Sequence, residues 1–434
     1  MLLSPRSIGT VWSKAGESNN QREAGRDMDT TFSRKQKTAA LTSLFIAWAA
    51  GYADRILIST AIIPIRAEFN LDARQAGIVL SAFYFSYAIT QLIGGWLSDK
   101  IGSRIVVVAC VASWSFFTGA TGVAWSFASL VAIRLLFGIG EGAFSPASSV
   151  TIAEVFPRKE RARAKSLLIS TTFLGNAVGS GLIGLTVARF GWRSSFTILA
   201  VMGLVVAAIL WASLRGGMKG QRERNANRHR TLWGPLLRMP AAWKIAAIWF
   251  FASVLYVGVT SWMPSYLMHT YHIDLAHTGM AVAIPNLLAF IGTNAVGYLL
   301  DRRAKGHERA FMIGGALVSA LSIALMINTT SMTLLMVYLT VCLLAFNFVY
   351  ASVFAMPLRY FPEHLIGSAT GLMNFGGQMG ATLAPIAMGA LINASGGAYI
   401  SAFWLLIGSA VGGVLVAATW KPIEPRMGES VQPS

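Results

Sequence analysis

The stretch GGWLSDKIGSR, residues 94–104, separates two long apolar segments, and its reading decides what the rest of the chain can be. A short turn with Asp99, Lys100 and Arg104 between apolar flanks marks where a chain leaves one membrane span and enters the next. A charge left in hydrocarbon costs at least ~2.5–3.5 kcal/mol even on mild insertion scales, so such residues collect at span ends. The stretch has an echo: GYLLDRRAKG, residues 297–306, places Asp301 in the same setting 202 residues later.

Other pairs sit at nearly the same offset. VFPRKERARA has Phe156, Pro157 and Ala164, and YFPEHLIGSA has Phe361, Pro362 and Ala369, each 205 residues on. Gly184, Gly191 and Phe196 of GLTVARFGWRSSF correspond to Gly389, Gly396 and, two residues late, Phe403. Matches in one order at one offset relate two halves of a chain. Two parallel six-span halves are a transporter plan, with the substrate site at mid-membrane between them.

Composition agrees. Of 434 residues, 55% are hydrophobic and 12% charged, against about 25% charged in an ordinary soluble domain. Stretches of roughly 20 apolar residues, enough to span a bilayer, recur from residue 38 onward. A soluble chain of this composition would expose far too much apolar surface. The expected fold is an all-α membrane protein with twelve transmembrane helices in two pseudo-symmetric halves. Residues 1–37 read as a disordered basic cytoplasmic leader, with Met28 as an alternative start. Residues 38–214 form the first bundle, 215–244 a cytoplasmic linker, 245–420 the second bundle and 421–434 a cytoplasmic tail. Cys110 and Cys342 fall inside spans, so no disulfide framework is expected. The net charge of +17 could suggest a nucleic-acid binder, but most Lys and Arg residues fall in segments that the alternation of spans puts on one side. That is the positive-inside rule. It predicts a multi-pass plasma-membrane protein (the inner membrane in a bacterium) with both termini cytoplasmic, and no nucleic-acid partner.

Charges inside the spans are few. Asp54 and Arg55 stand side by side in GYADRILISTAIIPI, residues 51–65, and Arg134 and Glu141 lie in AIRLLFGIGEGAFSPASS, residues 132–149. No other acidic or basic residue reads as lying well inside a span, so these four compensate one another. Seven residues are about two helical turns, which puts Arg134 and Glu141 on one face, ~10 Å apart, each free to pair with the first helix. Intramembrane ionisable groups are functional candidates by default; a structural clamp is the plainer alternative. Gly138, Gly140 and Gly142 beside Glu141 suit close helix packing, since a dinucleotide site would need a strand and a βαβ unit. His269, His272 and His277 share a loop with spacing unlike a zinc motif, and no metal is expected.

Residues 94–104 resemble the signature loop of the major facilitator superfamily, with Ser103 in place of the first closing basic residue and Arg104 as the second. The resemblance implies a gating latch at Asp99, Lys100 and Arg104 that holds the outward-facing state. YADR (residues 52–55), the Arg134–Glu141 segment, SWMPSYL (261–267) and GLMNFGGQMGATLAPIAMG (371–389) are similar to the anion:cation symporter branch, and the likeness runs from about residue 38 to 420. Bacterial members of that branch take up sugar acids and other small carboxylates with protons; animal relatives move sialic acid or glutamate. By residue, the resemblance implies that Asp54 and Glu141 carry protons and that Arg55 and Arg134 handle the anion. It also implies Tyr52, Tyr87 and Asn374 as hydrogen-bonders to substrate, with Gln378 where many relatives have Asn. Tyr87 and Gln91, one turn apart on one face, add hydroxyl-binding capacity.

The function expected is proton-coupled uptake of a small organic anion by a monomeric carrier without a cofactor, sodium being the other candidate coupling ion. An arginine stays protonated, so the carboxylates must be the titrating members. A drug or metabolite exporter of the same superfamily is the nearest rival. Many exporters carry Gly-Pro in the fifth span, and TTFLGNAVGSGLIGLTVARFG, residues 171–191, has no proline. A non-transporting anion receptor is more remote. No nucleophile–base set or metal cluster suggests an enzyme.

Overall fold

In the computed structural model, which describes residues 32–214, 233–303, 307–361 and 365–420, every regular element is a helix. The first half consists of α1 (Arg34–Phe69), α2 (Ala73–Ile101), α3 (Ser103–Gly122), α4 (Phe127–Gly142), α5 (Phe144–Val155) and α6 (Arg158–Ser213). A short α7 (Trp233–Leu237) leads into the second half: α8 (Pro240–Tyr271), α9 (Leu275–Arg303), α10 (Glu308–Ile327), α11 (Met332–Tyr360), α12 (Ile366–Ala394) and α13 (Ile400–Ala418). Eleven helical segments are long and apolar enough to cross a membrane, with α4 and α5 forming one of them. The long α6 contains two spans, because Gly191 breaks the helix at φ 77°. The total among the described residues is twelve.

Local chemistry explains the boundaries. Ser33, Asp72 and Ser126 each cap a helix through a reciprocal box, with Gln36, Gln75 and Ser129 as the third residues. Such boxes satisfy two backbone donors that a helix start leaves open. The turn between α2 and α3 passes through Gly102 at φ 96°, a conformation costly for any residue with a Cβ. Pro146 has no N–H for the Gly142 carbonyl, and the helix yields at Ala143, which separates α4 from α5. Ser33 caps α1 and Arg34 begins it, ahead of the expected boundary at residue 38. The expected leader up to residue 31, the linker stretch 215–232 and the tail from 421 lie outside the described residues.

For orientation, the linker end of the bundle is where α1 starts and α6 finishes; the other is the far end. At the far end the two halves touch through glycines. Gly389 on α12 lies on the Ala73 carbonyl of α2, with the Trp262 ring 3.1 Å from where a Cβ would stand. Gly77 on α2 lies on Pro385, and Gly184 on α6 on Gly279 of α9. Gly184 and Gly389 are the repeat glycines 205 residues apart. Their shared job is to let helices of opposite halves approach at backbone distance, as small residues do in membranes. Nearer mid-membrane, the halves also meet through an Asn176–Tyr256 hydrogen bond of 2.7 Å and a Phe173–Tyr256 ring contact.

The linker end repeats a different contact within each half. Ser103 at the start of α3 donates to Glu154 on α5 at 2.5 Å. At the same 205-residue offset, Glu308 at the start of α10 pairs with Arg359 on α11 and accepts from the Tyr360 hydroxyl at 2.8 Å. The acid has changed sides between the halves, but the tie between neighbouring spans is kept.

Over-filling a tight helix contact typically costs about 1–3 kcal/mol. Gly77→Val and Gly389→Val should therefore each lower the melting temperature of the purified protein by several degrees. Melts indistinguishable from the parent would show that these glycines do not set the spacing of the halves.

Candidate functional site

Asp54 and Arg55 are neighbours on α1, and residues one apart on a helix point about 100° from each other. They serve different partners. Arg55 faces α4, where its Nη2 donates to Glu141 Oε1 at 2.5 Å. Asp54 faces α3 and accepts a hydrogen bond from the Thr118 hydroxyl. The four predicted charges are all withdrawn from lipid: Asp54 is 2% exposed, Arg134 1%, Glu141 4%, and the Arg55 side chain 12%.

The pair has a built setting. The Arg55 guanidinium stands 4.6 Å from the Tyr52 ring, 4.7 Å from Phe83 and 4.9 Å from Tyr87. Ring faces are negative and stabilise a cation whose water has been removed. Gly51, one turn before Arg55, makes room for the carboxylate: a Cβ there would sit 3.3 Å from Glu141 Oε1. Gly138 and Gly142 bring α4 against α2 at Phe83 and Tyr87, and Gly140 brings it against Ser113 of α3. The three glycines serve helix packing, as their spacing suggested. Among the described residues Glu141 Oε2 and Arg55 Nε have no hydrogen-bond partner. Both point to a group meant to receive something else.

Arg55, Glu141, Tyr52 and Tyr87 line one small cavity of about 10 Å³, with Trp48 and Ser145 among its other walls. Arg134 lies apart from its wall, with its guanidinium 4.3 Å from the Phe137 ring, and none of its three nitrogens makes a hydrogen bond among the described residues. It interacts with Asp54 through charge alone. The expected quartet is thus one direct ion pair beside one longer-range couple, because adjacent residues on α1 cannot face the same way.

Gln91, one turn beyond Tyr87, lies beside Gly142 with its Oε1 unpartnered. Gln378 on α12 likewise has a buried, unpartnered Oε1. Asn374 is half-buried on the same helix, and neither belongs to the cavity wall around Arg55. At the linker end, Arg104 donates to the Trp211 carbonyl at 2.8 Å and stacks 3.9 Å from its ring, so it binds α3 to α6 within the first half. Lys100 lies 4.9 Å from the Trp96 ring. The side chain of Asp99 lies outside the described residues.

Sequence reading missed four participants. Thr118, one turn from Trp114 on α3, is the partner of Asp54; a threonine in an apolar span gives only a faint signal. Phe83 and Trp48 are aromatic walls among many aromatics. The backbone of Lys165 lies near a span end, but its ammonium stands 4.5 Å from the Trp48 ring and within 3.4 Å of the Ser145 carbonyl and the Ser148 hydroxyl. Arg55 and Arg134 remain the basic residues well inside spans, and a half-buried lysine joins them from the eighth position of α6, where its stem reaches toward the bundle interior.

The sequence matches the family model described as Major Facilitator Superfamily over residues 44–385 and 306–433. The chain is 28% identical over 396 residues to the hexuronate transporter of Bacillus subtilis (strain 168), covering 87% of this chain and 93% of the relative. It is 28% identical over 393 residues to the probable L-galactonate transporter of Escherichia coli (strain K12), covering 83% and 84%. Its fold is similar to the inward-facing, unoccupied crystal structure of a bacterial homolog to the human lysosomal transporter Spinster, with TM-score 0.75, 19% identity, and 89% and 96% of the two chains covered.

Replacing a whole buried ion pair by neutral or apolar groups is often neutral or stabilising by about 1–4 kcal/mol, whereas removing one partner costs about 3–5 kcal/mol because the other charge is left buried. Arg134→Met should therefore lower the melting temperature of the purified protein by several degrees, and adding Asp54→Asn should restore most of the loss. A double variant that melts as low as Arg134→Met would show that Asp54 and Arg134 do not compensate each other.

Proposed function

The chain belongs to the Major Facilitator Superfamily, and on that premise we propose that it imports a small hydroxylated carboxylate, a sugar acid, together with a proton by alternating access. The observation that carries this reading is the Arg55–Glu141 pair on a cavity wall, with tyrosines around it and a second glutamate oxygen unsatisfied. The names of the relatives, transporters of hexuronate and L-galactonate, support the class of cargo.

The mechanism follows from charge. In the empty carrier Glu141 neutralises Arg55. Protonation of Glu141 releases the guanidinium, and a substrate carboxylate takes the glutamate's place through charge-assisted hydrogen bonds. Tyr52 and Tyr87 offer hydroxyls to the sugar chain, and Gln91, Asn374 and Gln378 line the path that closes over it. Asp54, held by Thr118 and opposed by Arg134, is the second proton carrier. Both the empty, ion-paired site and the loaded, protonated site are compensated and can cross the membrane. A half-loaded site leaves an uncompensated charge, at a cost of several kcal/mol. That difference couples the two movements.

The positive-inside pattern assigns the linker end to the cytoplasm. The glycine contacts at the far end then seal the site from outside, and Trp48 and Ser145 stand on the inward side of the Arg55–Glu141 pair. Asp99, Lys100 and Arg104 act as the latch of the opposite state, with Ser103 and Glu154 as its support. The carrier works as a monomer.

Arg55→Lys keeps the charge and loses the planar fork. A hydrogen bond to a charged group is worth about 1.5–3 kcal/mol, so counterflow of labelled D-glucuronate into proteoliposomes should fall by roughly ten- to a hundredfold. Near-normal counterflow would remove Arg55 from the carboxylate site. Glu141→Gln should abolish accumulation driven by a pH gradient and retain exchange; a variant that still concentrates substrate in proportion to the gradient would place the proton elsewhere.

A further inference from the structure

We propose that Lys165, with the Ser148 hydroxyl and the Trp48 ring, forms a second anion subsite on the linker side of the Arg55–Glu141 pair. It receives the far acid group of a dianionic sugar acid, so the carrier prefers an aldarate to the matching aldonate. The inference rests on the sugar-acid reading above and narrows it.

The first observation is the state of the ammonium. Its two hydrogen bonds, to the Ser145 carbonyl and the Ser148 hydroxyl, are both 3.4 Å long, beyond the usual 2.7–3.2 Å. Both acceptors are neutral, and the Ser145 carbonyl already accepts from the hydroxyls of Ser148 at 2.7 Å and Ser149 at 3.1 Å. Among the described residues Lys165 has no carboxylate within 4 Å. A lysine carries three donors, and this one has strong use for none of them.

The second observation is where it stands. Trp48 and Ser145, which the ammonium touches, are walls of the cavity that holds Arg55 and Glu141. Glu141, Ser145 and Ser148 follow one another down one face of the α4–α5 span, four and then three residues apart. At 1.5 Å per residue that places Lys165 about 6–10 Å from the level of Glu141. A lysine near the end of a span ordinarily directs its charge toward the water interface. Here the ammonium stands against Trp48 and Ser145, two walls of the cavity.

The third is charge. Arg55, Arg134, Asp54 and Glu141 balance one another, and the half-buried Lys165 adds a cation outside that balance. A second carboxylate on the cargo therefore meets a partner that a hydroxymethyl group cannot use.

Galactarate and D-galactonate provide the test, because they differ only in whether the terminal carbon is a carboxylate or a hydroxymethyl group. Counterflow of each labelled acid is measured in proteoliposomes with the parent protein, Lys165→Met and Lys165→Arg. The parent should favour galactarate about tenfold or more, the increment of one desolvated charge-assisted contact. Lys165→Met should bring the ratio of the two acids close to one, and Lys165→Arg, which keeps the charge, should retain the preference. The inference is overturned if the parent carries D-galactonate as well as or better than galactarate. It is equally overturned if Lys165→Met slows both acids by the same factor, the signature of a cation that merely ties α6 to α5. If the parent carries neither acid, the sugar-acid reading falls as well.

Discussion

A guanidinium and a carboxylate 2.5 Å apart in a helical bundle constrain everything around them. Such a pair gains little net stability, because removing two ions from water costs about as much as their attraction returns. The surroundings must supply the difference. Three aromatic faces around Arg55, the missing side chain at Gly51, and the glycines that draw α4 onto α2 and α3 all serve that one contact. The helices are packed for the pair, and this explains why so apolar a span tolerates charges at its middle.

The two halves share a frame and divide the chemistry. The repeat glycines Gly184 and Gly389 make corresponding far-end contacts, and Ser103–Glu154 and Glu308–Arg359 make corresponding linker-end ties. Yet Asp54, Arg134 and Glu141 all belong to the first half. Among the described residues, the second half fully buries one charged side chain, Glu308, near the end of a span. In mid-membrane it offers neutral groups: Tyr256, which accepts from Asn176, and Asn347, which donates to the Ala289 carbonyl at 2.9 Å. One half holds charge and the other presents hydrogen bonds and rings. That suits a cargo with an acid head and a hydroxylated body.

The spans, the repeat and the four buried charges were legible because each rests on a property that a single residue carries: length of apolar run, a fixed offset, a charge in the wrong solvent. Partnership was less legible. The 100° step between Asp54 and Arg55 was readable from helix geometry and excludes a compact quartet, but only tertiary packing selects Thr118 for one and Glu141 for the other. Lys165 escaped for a different reason. Its backbone lies near a span end, and sequence assigns a lysine by its backbone, whereas its ammonium travels several ångström along a flexible stem. Ser103 looked like a loss from the basic loop pattern, but its hydroxyl engages Glu154. The tie survives a change of chemistry that pattern matching counts as a gap.

The three cations of the first half that face the bundle interior have one feature in common. Arg55 stands among Tyr52, Phe83 and Tyr87, Arg134 over Phe137, and Lys165 over Trp48. An aromatic face stabilises a positive charge through its quadrupole and occupies no N–H donor. A second carboxylate would have stabilised each cation more strongly and consumed those donors, leaving a salt-bridged core with nothing to offer an anion. Rings lower the penalty of burial just enough for the charges to persist, and the hydrogen-bonding edges stay free. Permanent compensation and ligand binding compete for the same donors, and in this protein the aromatic residues resolve the competition in favour of the ligand.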